Sequence, residues 1–233
     1  MARSSSVEDK ALALTGVFEG GGLTGNFDDQ FLSWGPLQWN AGRGTLRPLL
    51  LSIHEQDAEG FARVVGAAFM AAILESDDAF IAFIKTEILN AAGLPRKRWR
   101  GVFSALEELP GTQVAWREHA VSYLDNAELD CVRLGFVSER AFAFCFDVSV
   151  QNGGLRMNHI TTYWERMRRD LSEEWMRLKI LAYIVADNSL PRWREDVLAR
   201  KLTIAVRTGI VHDQRVDIYQ DFGISHLVPW REA

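Results

Sequence analysis

Phe18-Glu19-Gly20-Gly21-Gly22, followed by Thr24-Gly25-Asn26-Phe27-Asp28 and Ser33-Trp34-Gly35-Pro36-Leu37-Gln38-Trp39-Asn40, is the stretch on which the fold turns. Before it, Ser6 begins a helix with Asp9 three residues on as a capping partner. Ala11, Leu12, Leu14, Val17 and Phe18 then form an apolar stripe at helical spacing. Gly20 to Gly22 stop that helix, because glycine takes the left-handed conformation of a helix end without a steric cost. The stretch 23–40 is too rich in glycine and aromatics for a helix. It reads as two or three short strands, with turns near Asp28-Asp29 and Gly35-Pro36.

Helical patterns follow. Thr45 caps a helix through Leu49, Leu50 and Ile53, and a second runs over 58–74. A third starts at Asp77 or Asp78, passes Ile88 and ends near Gly93-Leu94-Pro95. The basic run 96–100 is a solvated turn into the next helix. Another helix spans 112–134 and ends at Gly135. Ser138 caps the segment 139–150, which Gln151-Asn152-Gly153-Gly154 stops. That segment is apolar almost all round, which predicts a buried central helix. A further polar-faced helix begins at about Tyr163 or at Ser172 and runs to Asp187, and one more covers 191–205 with Gly209 closing it. The stretch 212–230 reads as loop and short extended pieces. The expectation is a mainly α fold with a small β-hairpin. It forms one domain over 1–233, with a hairpin lobe at about 20–42 and a helical body at about 45–210.

Composition narrows the function. The 233 residues carry a net charge of −5, so there is no basic footprint for nucleic acid. No apolar run is long enough to span a membrane, and the polar, acidic start lacks the pattern of a secretory signal. The expected history is synthesis in the cytoplasm and action in the periplasm or on the cell wall, after export by another route or lysis. Cys131 and Cys145 fall in apolar helical patterns and read as buried free thiols. The five histidines show no metal-binding spacing, and no phosphate loop, dinucleotide fingerprint or nucleophile elbow is present.

Glu19 is the residue with chemistry to explain. An anion at a helix C-terminus is disfavoured by about 0.3–1 kcal/mol. Among apolar neighbours, however, such a carboxyl is held protonated and can act as a general acid. Glycoside cleavage needs that proton donor and a second group on the opposite face of the sugar. Asp28 and Asp29 lie nine and ten residues on. Asp28, beside Phe27, is the expected second carboxylate, and Asp29 the solvent-facing partner. Turn formation is the competing explanation for both. Ser33, Gln38 and Asn40 are polar groups in an aromatic segment, placed to bond the acid, its water or a sugar amide. Trp34 and Trp39, two of eight tryptophans, are candidates to stack on sugar rings. Asp147 interrupts the apolar central helix and is expected to pair with an arginine such as Arg192 or Arg200. Two carboxylates and water suffice, so no metal or organic cofactor is implied.

The segment 18–40 resembles the catalytic core of the lysozyme-like superfamily, which includes goose-type and phage-type lysozymes, lytic transglycosylases and chitosanases. In that group a glutamate ends a helix and a β-hairpin forms the cleft wall. Gly35-Pro36-Leu37-Gln38 is similar to the glycine-leucine-methionine-glutamine motif of transglycosylases and goose-type lysozymes, with proline added and methionine absent. Gly20 stands where transglycosylases carry a serine after their glutamate. Gly25-Asn26-Phe27-Asp28 followed by Ser33-Trp34-Gly35-Pro36-Leu37-Gln38-Trp39-Asn40 also resembles a group of phage endolysins and secretion effectors regarded as peptidoglycan-degrading. The resemblance implies a lysozyme-like α+β fold, Glu19 as acid and Gln38 as a cleft residue. It implies a muramidase acting on peptidoglycan glycan strands. The alternatives are a chitosanase on the same fold and a non-catalytic wall-binding module. An immunity protein or a secretion-system carrier fits as a partner, and the chain is expected to be monomeric.

Overall fold

The apolar stripe near the start forms helix α1, Ser5–Phe18, which buries Val7, Ala11, Leu12, Leu14 and Phe18. The computed structural model describes residues 4–26, 29–167 and 173–231. The chain forms two compact units, one of Glu19–Ala120 and one of Met1–Phe18 with Val121–Ala233.

In the first unit, β1 (Ser33–Trp34) pairs antiparallel with β2 (Trp39–Asn40), with Ser33 opposite Asn40 and Trp34 opposite Trp39. The helices α2 (Leu46–Gln56), α3 (Ala58–Val65), α4 (Ala67–Glu75), α5 (Asp77–Phe83), α6 (Lys97–Glu107) and α7 (Pro110–His119) follow. A π-helical turn, Ile84–Ile88, extends α5. The core is aromatic: Phe69 packs against Phe80, Trp99 and Phe103, and Trp34 against Phe103 and Trp116. Each such ring contributes about 1.5–3 kcal/mol by leaving water.

Four expectations change in this stretch of the chain. The helix over 58–74 is two helices, because Gly66 breaks it with φ +82°, a conformation that L side chains rarely adopt. The helix over 112–134 is also two. The break is at buried Ala120, whose N–H donates back to Trp116 and Arg117 carbonyls. The first of these helices starts at Pro110, a favoured first-turn residue, ahead of Thr112. Thr45 precedes α2, but its hydroxyl accepts from Asn40 N–H rather than capping the helix.

The second unit contains α1, α8 (Val121–Leu134), α9 (Glu139–Asn152), α10 (Met157–Arg166), α11 (Glu174–Asp187), α12 (Arg194–Val206) and α13 (Ile218–Phe222). A single 3-10 turn, Pro191–Trp193, leads into α12. As expected, α9 is the central helix. It is buried from Glu139 to Ser149, Ser138 caps it by accepting Ala141 N–H, and Gly153 ends it in the left-handed conformation. It packs against α1, α8, α11 and α12. Cys131 and Cys145 are free, buried thiols.

A second hairpin stands where a helix stop at Gly209 and then loop with short extended pieces were expected. Strand β3 (Thr208–Val211) pairs antiparallel with β4 (Gln214–Asp217). Gly209 therefore lies within a strand and does not close α12. A Cβ there would meet Thr203 Oγ1 at 2.0 Å, so the close approach requires glycine. The helix ends instead at Arg207, whose φ of +82° is held by two 3.0 Å hydrogen bonds to Asp217.

Candidate active site

Glu19 directly follows the last residue of α1 and is half-buried. The glycines after it turn the chain sharply, with φ of +75° at Gly20 and +93° at Gly22. The loop is then fastened at three points. Gln38 Nε2 donates to Gly22 O and Gly35 O at 3.0 Å each, while Gln38 Oε1 accepts from Thr24 Oγ1 at 2.8 Å. Thr24 and Ser33 exchange main-chain hydrogen bonds of 2.9 and 3.1 Å. Asn26 N–H donates to Gly93 O at 2.8 Å. The last tie explains Gly25, since a Cβ there would sit 2.2 Å from Gly93 O.

The remaining candidates build the hairpin. Ser33 is buried and its hydroxyl donates to Gln30 Oε1. Asn40 is buried, with Oδ1 accepting from Arg43 N–H. Trp34 is 0 % exposed and Trp39 7 % exposed. Trp34 lies edge-on to Phe103 and Trp116, and Trp39 to His119. This corrects the expectation that the two indoles stack on sugars. The two indoles face each other across the strand pair, and their buried rings pack among Phe103, Trp116 and His119. Asp29 is exposed and left-handed, with φ +58°, consistent with turn chemistry. Asp28 lies outside the described residues. Gln38 thus bonds through its side chain directly to the loop that follows Glu19, and Ser33 bonds to it through the main chain.

Glu107, not singled out from the sequence, is a half-buried carboxyl in the same unit. Burial raises its pKa, the Trp34 indole N–H at 3.0 Å opposes this, and Glu108 adds to it. A signal was available, because Glu107 ends α6 and so places an anion at a helix C-terminus, as Glu19 does. His119 is shifted the other way: burial lowers its pKa against the pull of Glu118. An open groove of about 460 Å³ lies between Asn26 and Phe31 on one side and Lys85 and 89–93 on the other.

Asp147, in the other unit, is fully buried. Burial pushes its carboxyl up, but Arg200 and Lys201 together outweigh that and hold it at about 2. The expected arginine partner is therefore Arg200, joined by Lys201, and Lys201 also donates to Gln151 Oε1. Among the described residues, no three His, Cys, Asp or Glu side chains gather where they could hold a metal, and no helix is long and apolar enough to cross a membrane.

No protein-family model matches the chain, and no curated protein matches it in sequence. A solved structure does: a mutant chitosanase from Bacillus subtilis MY002, complexed with 6 GlcN. The TM-score is 0.52 at 14 % identity, and the match covers 93 % of this chain and 98 % of that one. At that identity the likeness speaks for the fold. The mainly α chain with its small hairpin near the start has the lysozyme-like fold.

Proposed function

We propose that the chain is a glycoside hydrolase that cleaves β-1,4 bonds in a glycan of amino sugars, with peptidoglycan as its substrate. The observation that carries this reading is the placement of Glu19. It is half-buried at the end of α1 and enters a glycine loop that Gln38 fastens to the hairpin. A lysozyme-like fold shared with a chitosanase over nearly the whole chain supports it. In this reading Glu19 protonates the leaving oxygen, and Asp28 is the second carboxylate, which positions a water or stabilises the developing cation. Gln38, Ser33 and Asn40 act by shaping the loop and the hairpin.

Replacing Glu19 by glutamine keeps the shape and removes the proton. Glu19→Gln should lower the rate of glycan release from purified sacculi at least ~100-fold, and wild-type clearance by that variant would sink the assignment. Mass analysis of the products then names the chemistry, because an anhydro end marks a transglycosylase and a free reducing end a hydrolase. Chitosan hydrolysis is the second reading, favoured by the activity of the structural neighbour. Comparing sugar release from chitosan and from sacculi separates the two.

A further inference from the structure

We infer that the groove of Asn26, Phe31, Lys85 and Asn90 is a subsite for the carboxylate substituents of a muramic-acid-containing glycan. The inference rests on the glycan reading above and names the feature of the glycan that is recognised. The first observation is the chemistry of the lining. Asn26 Oδ1 accepts from Phe31 N–H at 3.0 Å, and Asn90 Oδ1 accepts from Ala92 and Leu94 N–H at 2.9 and 3.1 Å. Backbone donors thereby fix both amides with their oxygens turned to the chain. Each leaves its NH₂ group, a donor with no accepting capacity, for a ligand or solvent.

The third polar side chain is Lys85, exposed, with its ammonium 4.3 Å from the Phe31 ring centroid. Among the described residues, no carboxylate pairs with it and no acidic side chain lines the groove. The described side chains of this groove therefore offer hydrogen-bond donors and one positive charge. They suit a carboxylate with acetamido oxygens around it. A polymer of glucosamine brings an ammonium on every sugar, which Lys85 repels.

The second observation is backbone strain. Phe31 is a bulky residue with φ +58°, a conformation that few non-glycine residues hold. It is kept there by the Asn26 side chain, and it carries the ring on which Lys85 rests. Strain of this kind persists where the surrounding structure needs the side chain displayed.

The test is binding to the whole ¹⁵N-labelled chain, followed through the amide signals of Asn26, Asn90 and Gly93. The probes are the disaccharide of N-acetylglucosamine and N-acetylmuramic acid, diacetylchitobiose, which lacks the carboxylate, and the glucosamine dimer. The muramyl disaccharide should bind about fivefold more tightly than diacetylchitobiose, the scale of one exposed charge pair. Lys85→Met should erase that margin. Asn90→Asp keeps the acceptor for Ala92 and Leu94 and should shift preference toward the glucosamine dimer. Equal affinities for the first two probes, a margin indifferent to Lys85→Met, or tightest binding of the glucosamine dimer by the unaltered chain would each overturn the inference. Cleavage is a separate readout. A fully active Glu19→Gln variant defeats the assignment of the acid and leaves this discrimination standing, whereas loss of discrimination with intact cleavage defeats only the subsite.

Discussion

At the scale of single residues, the clearest energetic feature is Asp147. It is fully buried with two fully or almost fully buried cations, Arg200 and Lys201, and Arg200 also lies over the Phe18 ring with 5.2 Å between its guanidinium carbon and the ring centroid. Asp147→Asn removes the buried anion that Arg200 and Lys201 both contact, so urea denaturation should show a loss of about 3–5 kcal/mol. Lys201→Met removes one of the two cations, leaves Asp147 with Arg200 and Thr15, and takes a donor from Gln151 Oε1, so its loss should be smaller, about 1–3 kcal/mol. Equal losses would mean that the cluster does not act through its charge balance. The sequence made this pair legible, because a charge inside an otherwise apolar helix must find a partner. It singled out Glu19 by the same kind of conflict, an anion at a helix end. It did not reveal the burial of Trp34 and Trp39, since an indole in a short strand reads alike whether its ring faces a core or a ligand.

At the scale of elements, glycines set the breaks, and their roles differ in sign. Gly101 lies inside α6, exposed, with nothing near the position of a Cβ. Gly101→Ala should raise stability by about 0.5–1 kcal/mol through helix propensity. Gly25 has no unusual φ, yet a Cβ would sit 2.2 Å from Gly93 O, so Gly25→Ala should cost about 1–3 kcal/mol. Amide exchange at Asn26 should rise in the same variant, because its bond to Gly93 is the one displaced. Stabilisation by Gly25→Ala would refute the close approach. Of the helices, α9 with its serine cap and glycine stop was readable throughout. The break at Gly66 was hidden because a single glycine also occurs within continuous helices. The break at Ala120 had neither glycine nor proline to mark it. The second hairpin escaped notice because Gly209 reads as a helix stop when Thr203, the residue it must approach, is not yet in place.

At the scale of the whole molecule, the acid side of the stability profile follows from two buried carboxyls of one unit that are shifted in opposite directions. Burial raises Asp130 to about 6, although Leu155 N–H and Arg133 pull it down. Because its folded value exceeds the ordinary 3.8, the unfolded chain releases that proton first as pH rises. Between about pH 4 and 6 the unfolded state therefore binds fewer protons, and stability falls with rising pH. Asp147 behaves in the opposite sense. Its folded value of about 2 lies below 3.8, so its contribution is present above pH 4 and is lost as pH falls through 2. Together the two groups place the shoulder of their joint contribution near pH 4. Asp130→Asn should remove the decline between pH 4 and 6 while leaving the loss below pH 4. At pH 7 it should raise stability by about 1–2 kcal/mol, since the amide keeps an acceptor for Leu155 N–H at no cost in buried charge. Thermal melts of the two proteins from pH 2 to 8 read this directly. Parallel curves across pH 4 to 6 would show that Asp130 ionises in the folded chain as freely as in the unfolded one.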